Sequence, residues 1–294
     1  AGQADRLDQR ALFQRLPRAL DLKVLDQRHR IAIGEQVAHC IADLDPVRRR
    51  APGGQVLHQR HRPLDNRLWA RQVQGFLEEV VQGPAVVVGH SLGGLVALSA
   101  AVFFPTWVRA VVASPLPDPT LVMAKAIRPP RRRPWRRRLK RWLVILLCRL
   151  LPLEMLVPLL AHSPLLDLGI QSAYVTAVVG DQELHRVIAK PARRPGAVRS
   201  LRAMSIAMAL RPHGATAPAL LQRLRCPLLL IWGRRDQLVP VQVADQVLRV
   251  RPDLPLVLLD HSGHCPHDEV PEAFNGALLG WLEGLGGQGM EWPA

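Results

Sequence analysis

Pro84-Ala85-Val86-Val87-Val88-Gly89-His90-Ser91-Leu92-Gly93-Gly94-Leu95-Val96 is the stretch that decides the fold. An apolar β-branched run ends in Gly89-His90-Ser91-Leu92-Gly93, and an apolar helical pattern follows at once. Strand, tight turn and helix in that order form the context of a nucleophile elbow. Only small side chains fit around so sharp a turn, hence Gly89 and Gly93. The Ser91 hydroxyl then stands clear of the sheet, with the amino end of the next helix beneath it. The backbone N–H of Leu92 points to where negative charge develops during attack on a carbonyl. A bare G-x-S-x-G is weak by itself; its flanking strand and helix give it weight.

Outward from the elbow, strands and helices alternate. Asp65 is a good N-cap for a helix whose Trp69, Val73, Phe76, Leu77, Val80 and Val81 share one face. The elbow strand is read as 85–88, and its helix runs to about Phe104, stopped by Pro105. Buried strands are expected at 108–113 and 227–232 and a last strand at 256–259, with helices near 241–251 and 272–283. The last helix turns Phe274, Leu278, Trp281 and Leu282 inward. Continuous apolar strands alternating with amphipathic helices predict an α/β fold: a mostly parallel sheet with helices on both faces.

Residues 116–225 interrupt this order, far beyond the roughly 2–6 residues of a usual connection. They are expected to form a helical cap or lid inserted in the C-terminal half, over a core made of 1–115 and 226–294. Trp142–Leu147, Leu150–Ala161 and Ala203–Leu210 read as cap helices broken by Pro152 and Pro158. Residues 1–62 are atypical, rich in Arg, Gln and Asp with little alternation. Leu20–Leu25 and Val56–Leu57 suit short strands, and Ile31–Leu44 suits a helix or a strand. The text changes abruptly at Pro63, so two readings of 1–62 stand side by side: a shifted reading frame, or a divergent native region. The chain opens on Ala1 without a signal-peptide pattern, as a fragment or processed product does.

A serine nucleophile needs a base, and the base needs an orienting acid. Asp236 follows one expected strand in Gly233-Arg234-Arg235-Asp236-Gln237-Leu238-Val239-Pro240. His264 follows the last in Asp260-His261-Ser262-Gly263-His264-Cys265-Pro266. His261 lies too near the strand end and His267 inside the start of the closing helix, which favours His264 as the base. His90 reads as a packing or loop-lining residue. The chain order Ser91, Asp236, His264 is that of an α/β-hydrolase triad.

In three motifs, Gly89–Gly94, Gly233–Pro240 and Gly-His-Cys-Pro-His-Asp-Glu-Val-Pro-Glu-Ala-Phe-Asn at 263–275, the chain resembles the α/β-hydrolase superfamily, in its cap-bearing serine-hydrolase branch. More loosely, 65–283 is similar to cyanobacterial hydrolases related to plastid pheophytinase-like enzymes. The resemblance implies Ser91 as nucleophile, His264 as general base and then acid, Asp236 as orienting acid, and Leu92 N–H as one oxyanion donor. Serine at 91 sets it apart from haloalkane dehalogenases and epoxide hydrolases, which use Asp there. The family's upstream His-Gly turn, source of the second oxyanion donor, is missing; Gly53-Gly54 is the only candidate turn. One lost donor costs about 3 kcal/mol, or roughly 10²–10³ in rate. The expected activity is cleavage of a carboxylic ester with a hydrophobic part, through an acyl-enzyme. Thioester, amide and carbon–carbon hydrolysis use the same triad. The alternative is a catalytically weak, membrane-associated binding protein of the same fold. Neither cofactor nor metal is implied.

The net charge of +15 is almost all arginine: of 39 basic residues only Lys23, Lys125, Lys140 and Lys190 are lysines. A GC-rich genome accounts for a general excess but not for its clustering. Arg128, Arg131, Arg132, Arg133, Arg136, Arg137, Arg138, Lys140 and Arg141 fall in one run without an acid. The run leads into apolar Trp142–Leu147, too short to span a bilayer. Adsorption to an anionic membrane surface suits this pattern; a solvated loop is the plainer reading, and nucleic acid has no recognisable module here. Four scattered cysteines without C-x-x-C spacing point to free thiols in a reducing compartment. The expected location is cytoplasmic, with a peripheral membrane contact.

Overall fold

The computed structural model describes residues 31–33, 63–122, 134–161 and 163–287. Within them the sheet has five strands: β1 (Ile31–Ile33), β2 (Ala85–His90), β3 (Val108–Ser114), β4 (Leu228–Gly233) and β5 (Leu256–Leu259). They lie side by side in chain order, and every neighbouring pair is parallel. The open choice at Ile31–Leu44 resolves, for its first three residues, as a strand with Ile31 opposite Val86. Leu20–Leu25, Val56–Leu57 and Gly53-Gly54 lie outside the described residues.

Parallel strands need helical crossovers, which bury both faces of the sheet. Along β2 and β3 the side chains alternate between two cores. Val87, Val111 and Ala113 face a cluster with α1 (Asn66–Phe76), α2 (Leu92–Phe103), α9 (Ala217–Leu221) and α10 (Gln242–Val250). Val86, Val88, Ala110 and Val112 face the opposite cluster, with Phe274, Leu278 and Leu282 of α12 (Pro271–Gly287). That double burial is why 85–88 and 110–113 read as unbroken apolar runs.

In the core, expected element ends hold within a few residues, whereas the insertion helices read at Trp142–Leu147 and Ala203–Leu210 begin earlier, at Pro134 and Ala197; Asp65 caps α1 by accepting from Arg67 N at 3.0 Å. Other details differ too. Val80 is exposed, because a π turn over Leu77–Val81 rotates it off the apolar face. His267 sits in a separate short helix, α11 (Pro266–Glu269), ahead of the closing helix. Pro158 lies inside a helix without ending it.

Between β3 and β4 the described residues form α3 (Pro119–Val122), α4 (Pro134–Leu150), α5 (Leu153–Ala161), α6 (Pro164–Gln171), α7 (Gln182–Ala192) and α8 (Ala197–Leu210), ahead of α9. The chain breaks at Pro152 as expected, between α4 and α5. One buried ion pair ties the exit of this segment to its return. The Asp118 carboxylate accepts from Arg211 at 2.5 Å, from Ala217 N at 2.7 Å and from Thr120 N at 2.9 Å. Both charged side chains are nearly inaccessible to solvent.

Removing one partner of such a pair leaves an uncompensated buried charge, which costs about 3–5 kcal/mol. Asp118→Ala is therefore expected to lower the unfolding free energy by roughly that amount. Urea denaturation followed by circular dichroism measures it; a loss below about 1 kcal/mol would show that the pair does not anchor the insertion.

Candidate active site

The turn after β2 sets the position of Ser91. Its backbone adopts φ 49° and ψ −122°, and among the described residues only Gln82 is another non-glycine at positive φ. Holding a serine there costs on the order of 1–3 kcal/mol, and the surrounding contacts maintain it. Ser91 N donates to Ser114 O at 3.0 Å, and Ser91 O accepts from Gly94 N at 2.8 Å. A Cβ on Gly89 would fall 2.2 Å from Gly93 O, and one on Gly94 2.9 Å from Pro115 O. The small residues are there because backbone occupies the space around them. Leu92 is the first residue of α2, where a backbone N–H has no partner within its helix.

Asp236 and His264 arrive on the loops after β4 and β5, at the carboxyl edge of the sheet. Those two loops are laced together by backbone: Arg234 N donates to Leu259 O at 2.9 Å and Arg235 N to Ser262 O at 3.1 Å. A Cβ at Gly233 would lie 1.9 Å from Gly263 O, so no other residue lets them approach. The buried Trp232 indole donates to Val239 O at 2.8 Å and folds the Asp236 loop back on itself.

The result is a single hydrogen-bonded line. Ser91 Oγ lies 2.9 Å from His264 Nε2, and His264 Nδ1 lies 2.9 Å from Asp236 Oδ2. Asp236 Oδ1 accepts from Leu238 N at 2.9 Å and Val239 N at 2.8 Å. Those bonds fix the carboxylate and leave Oδ2 for the histidine. An ionised carboxylate only accepts, so the imidazole carries its proton on Nδ1 and presents Nε2 as the acceptor for the serine hydroxyl. Asp236 and His264 are both buried.

The other histidines take supporting places. His90 Nε2 lies 2.8 Å from His264 O, and its ring meets that of His264 edge-on, with centroids 4.9 Å apart. His267 stacks at a tilt on His90, centroids 4.6 Å apart. His261 lies exposed on the loop after β5. Of the upstream segment 1–62, only Ile31–Ile33 belong to the described residues, and Gly53-Gly54 lies outside them.

Sequence reasoning assigned no role to Glu269, yet its carboxylate joins the His264 loop to the helical insertion. Oε2 accepts from Gly263 N at 2.6 Å, while Oε1 accepts from Val175 N at 2.5 Å and Thr176 N at 3.2 Å. His264 N adds a bond to Ala173 O at 2.8 Å, and Tyr174 Oη donates to Asp268 at 2.8 Å. Burial, with Cys265 and Asp268 close by, pushes the Tyr174 phenol above its ordinary range, so it stays a donor. The sequence signal for Glu269 was present, five residues after His264 in the third motif, but two of its three partners, Val175 and Thr176, are about ninety residues away. Leu168, Tyr174, Val175, Arg235 and Gln237 line a cleft of about 510 Å³ between this segment and the Asp236 loop.

Residues 11–277 match the model of the alpha/beta hydrolase family. The chain belongs to that family. The match begins upstream of the change in sequence character at Pro63. This alpha/beta hydrolase is 27% identical over 231 residues to the chloroplastic pheophytinase of Arabidopsis thaliana, covering 76% of its own length and 46% of the plant protein. It thus spans less than half of that relative. Over 221 residues it is 26% identical to the uncharacterized hydrolase YugF of Bacillus subtilis, covering 73% and 71% of the two chains. Among solved structures, a serine hydrolase involved in carbazole degradation shares the fold with a TM-score of 0.51. That pair is 19% identical over 76% of this chain and 73% of the other.

Two substitutions test the scaffold. Glu269→Gln sets an amide NH₂ against backbone N–H groups and is expected to cost about 1–3 kcal/mol of stability, read by urea denaturation. Gly233→Ala is expected to separate the two loops. In NMR spectra of the folded protein, the low-field Nδ1 proton of a carboxylate-bound histidine should be present in the parent and absent from this variant; its persistence would contradict the close-approach account.

Proposed function

We propose that the protein is a serine hydrolase that cleaves a carboxylic ester with a hydrophobic acyl or alcohol part through an acyl-enzyme. The observation that carries this reading is the hydrogen-bonded line from Ser91 Oγ through His264 to Asp236, with Ser91 held on a left-handed backbone at a helix N-terminus. On this reading His264 Nε2 takes the hydroxyl proton as Ser91 Oγ attacks the ester carbonyl. Asp236 holds the tautomer and stabilises the imidazolium that forms. The Leu92 N–H faces the developing oxyanion. Collapse of the tetrahedral intermediate expels the alcohol, which receives the proton from His264, and leaves the acyl group on Ser91. His264 then takes a proton from water, and the resulting attack releases the acid and frees Ser91.

The hydrophobic preference rests on the insertion, in which α5 and α8 are dominated by Leu, Val, Met and Ala. Likeness to a plant pheophytinase makes pheophytin a natural member of a substrate panel, beside simple esters of graded chain length.

A fluorophosphonate probe tests the nucleophile. The protein is expected to label, and Ser91→Ala to lose labelling entirely with its circular dichroism unchanged. Asp236→Asn, which disturbs the tautomer, should lower kcat for a responsive ester about 10⁴-fold. An unlabelled parent protein, or a labelled Ser91→Ala variant, would defeat the proposal.

A further inference from the structure

The insertion carries a surface that the catalytic reading leaves unused. In α4, Leu139, Trp142, Leu143, Leu147 and Leu150 are each between 46% and 70% exposed. Their spacing of i, i+3, i+4, i+8 and i+11 keeps them within roughly 140° of the helix circumference. A helix docked on a core turns such a stripe inward. Here it faces out, although α4 does pack against α8. The next helix repeats the arrangement: Met155 and Leu159 of α5, one turn apart, are 63% and 60% exposed.

Charge surrounds the stripe. Arg138, Lys140, Arg141 and Arg149 of α4 are exposed, and residues 128–141 contain no acid. Glu154, at the start of α5, is taken by Arg202 of α8, which hydrogen-bonds the carboxylate and holds it down to about 2. The same guanidinium donates to Cys148 O at 2.9 Å and Leu151 O at 3.1 Å. Arg202 thereby pins the corner where α4 meets α5 at a bend of 54°.

We infer that α4 and α5 form a docking surface for an anionic lipid bilayer, lying in the interface with the apolar stripe among the acyl chains and the basic groups among the headgroups. No single described helix is long and apolar enough to cross a membrane. Arg149 and the pinned corner at Pro152 interrupt the apolar pair, which suits a shallow seat. Charge complementarity selects the occupant. A second copy would bring its own acid-free basic run against this one, and a nucleic-acid backbone would leave the leucines and tryptophan in water. An anionic bilayer satisfies both halves of the surface at once.

Vesicle co-sedimentation of the full chain tests this, with phosphatidylcholine alone and with phosphatidylcholine doped with phosphatidylglycerol. Binding is expected to the anionic vesicles only, and to weaken as salt rises. Trp142→Ser with Leu147→Ser should reduce partitioning at least about tenfold, as should Arg138→Glu with Arg141→Glu, without change in circular dichroism or Tm. The inference is overturned by equal binding to both vesicles, by binding to neither, or by folded variants that bind like the parent. It is overturned equally by a dimer that the Trp142 and Leu147 changes dissociate, or by oligonucleotide binding that outcompetes the vesicles.

Discussion

Everything at the site depends on how closely backbone approaches backbone at two glycines. Gly89 brings the end of β2 against the start of α2, and Gly233 brings the Asp236 loop against the His264 loop. At neither place is there room for a Cβ. The first contact sets the Ser91 hydroxyl over the sheet edge. The second allows a carboxylate and an imidazole from separate crossovers to share a hydrogen bond. The side chains then need little conformational choice: Asp236 is held by two N–H groups and His264 by its own backbone contacts.

The features legible in sequence were those with local causes. The elbow announces itself because strand, turn and helix are contiguous, and double burial makes 110–113 and 228–232 continuous apolar runs. Asp236 and His264 were legible because each follows its strand within a few residues. Glu269 was not, since its role is to meet Val175 and Thr176, which no periodicity connects to it. The Asp118–Arg211 pair escaped notice for the same reason. Pro158 was read as a breaker, yet it sits inside α5, where neighbouring helices outweigh the local cost of a proline. Apolar content alone predicted helices in the insertion, but whether Trp142 and Leu147 faced inward or outward required the packing against α8.

That outward stripe changes how the basic run is understood. As sequence, an arginine cluster beside a tryptophan admits a solvated loop. With much of the run on a helix whose exposed side is apolar, charge and hydrophobicity belong to one surface. Glu269, Ala173 and Tyr174 join the insertion to the His264 loop, so the proposed bilayer seat and the proposed hydrolytic site are mechanically continuous. A hydrophobic ester held in lipid fits both proposals together.

The most direct test of the central claim is a crystal structure of the protein after reaction with a small organophosphonate ester. Phosphorus is expected bonded to Ser91 Oγ, with the phosphonyl oxygen within hydrogen-bond reach of Leu92 N and His264 still held by Asp236. An unmodified Ser91, or an adduct on any other residue, would contradict it.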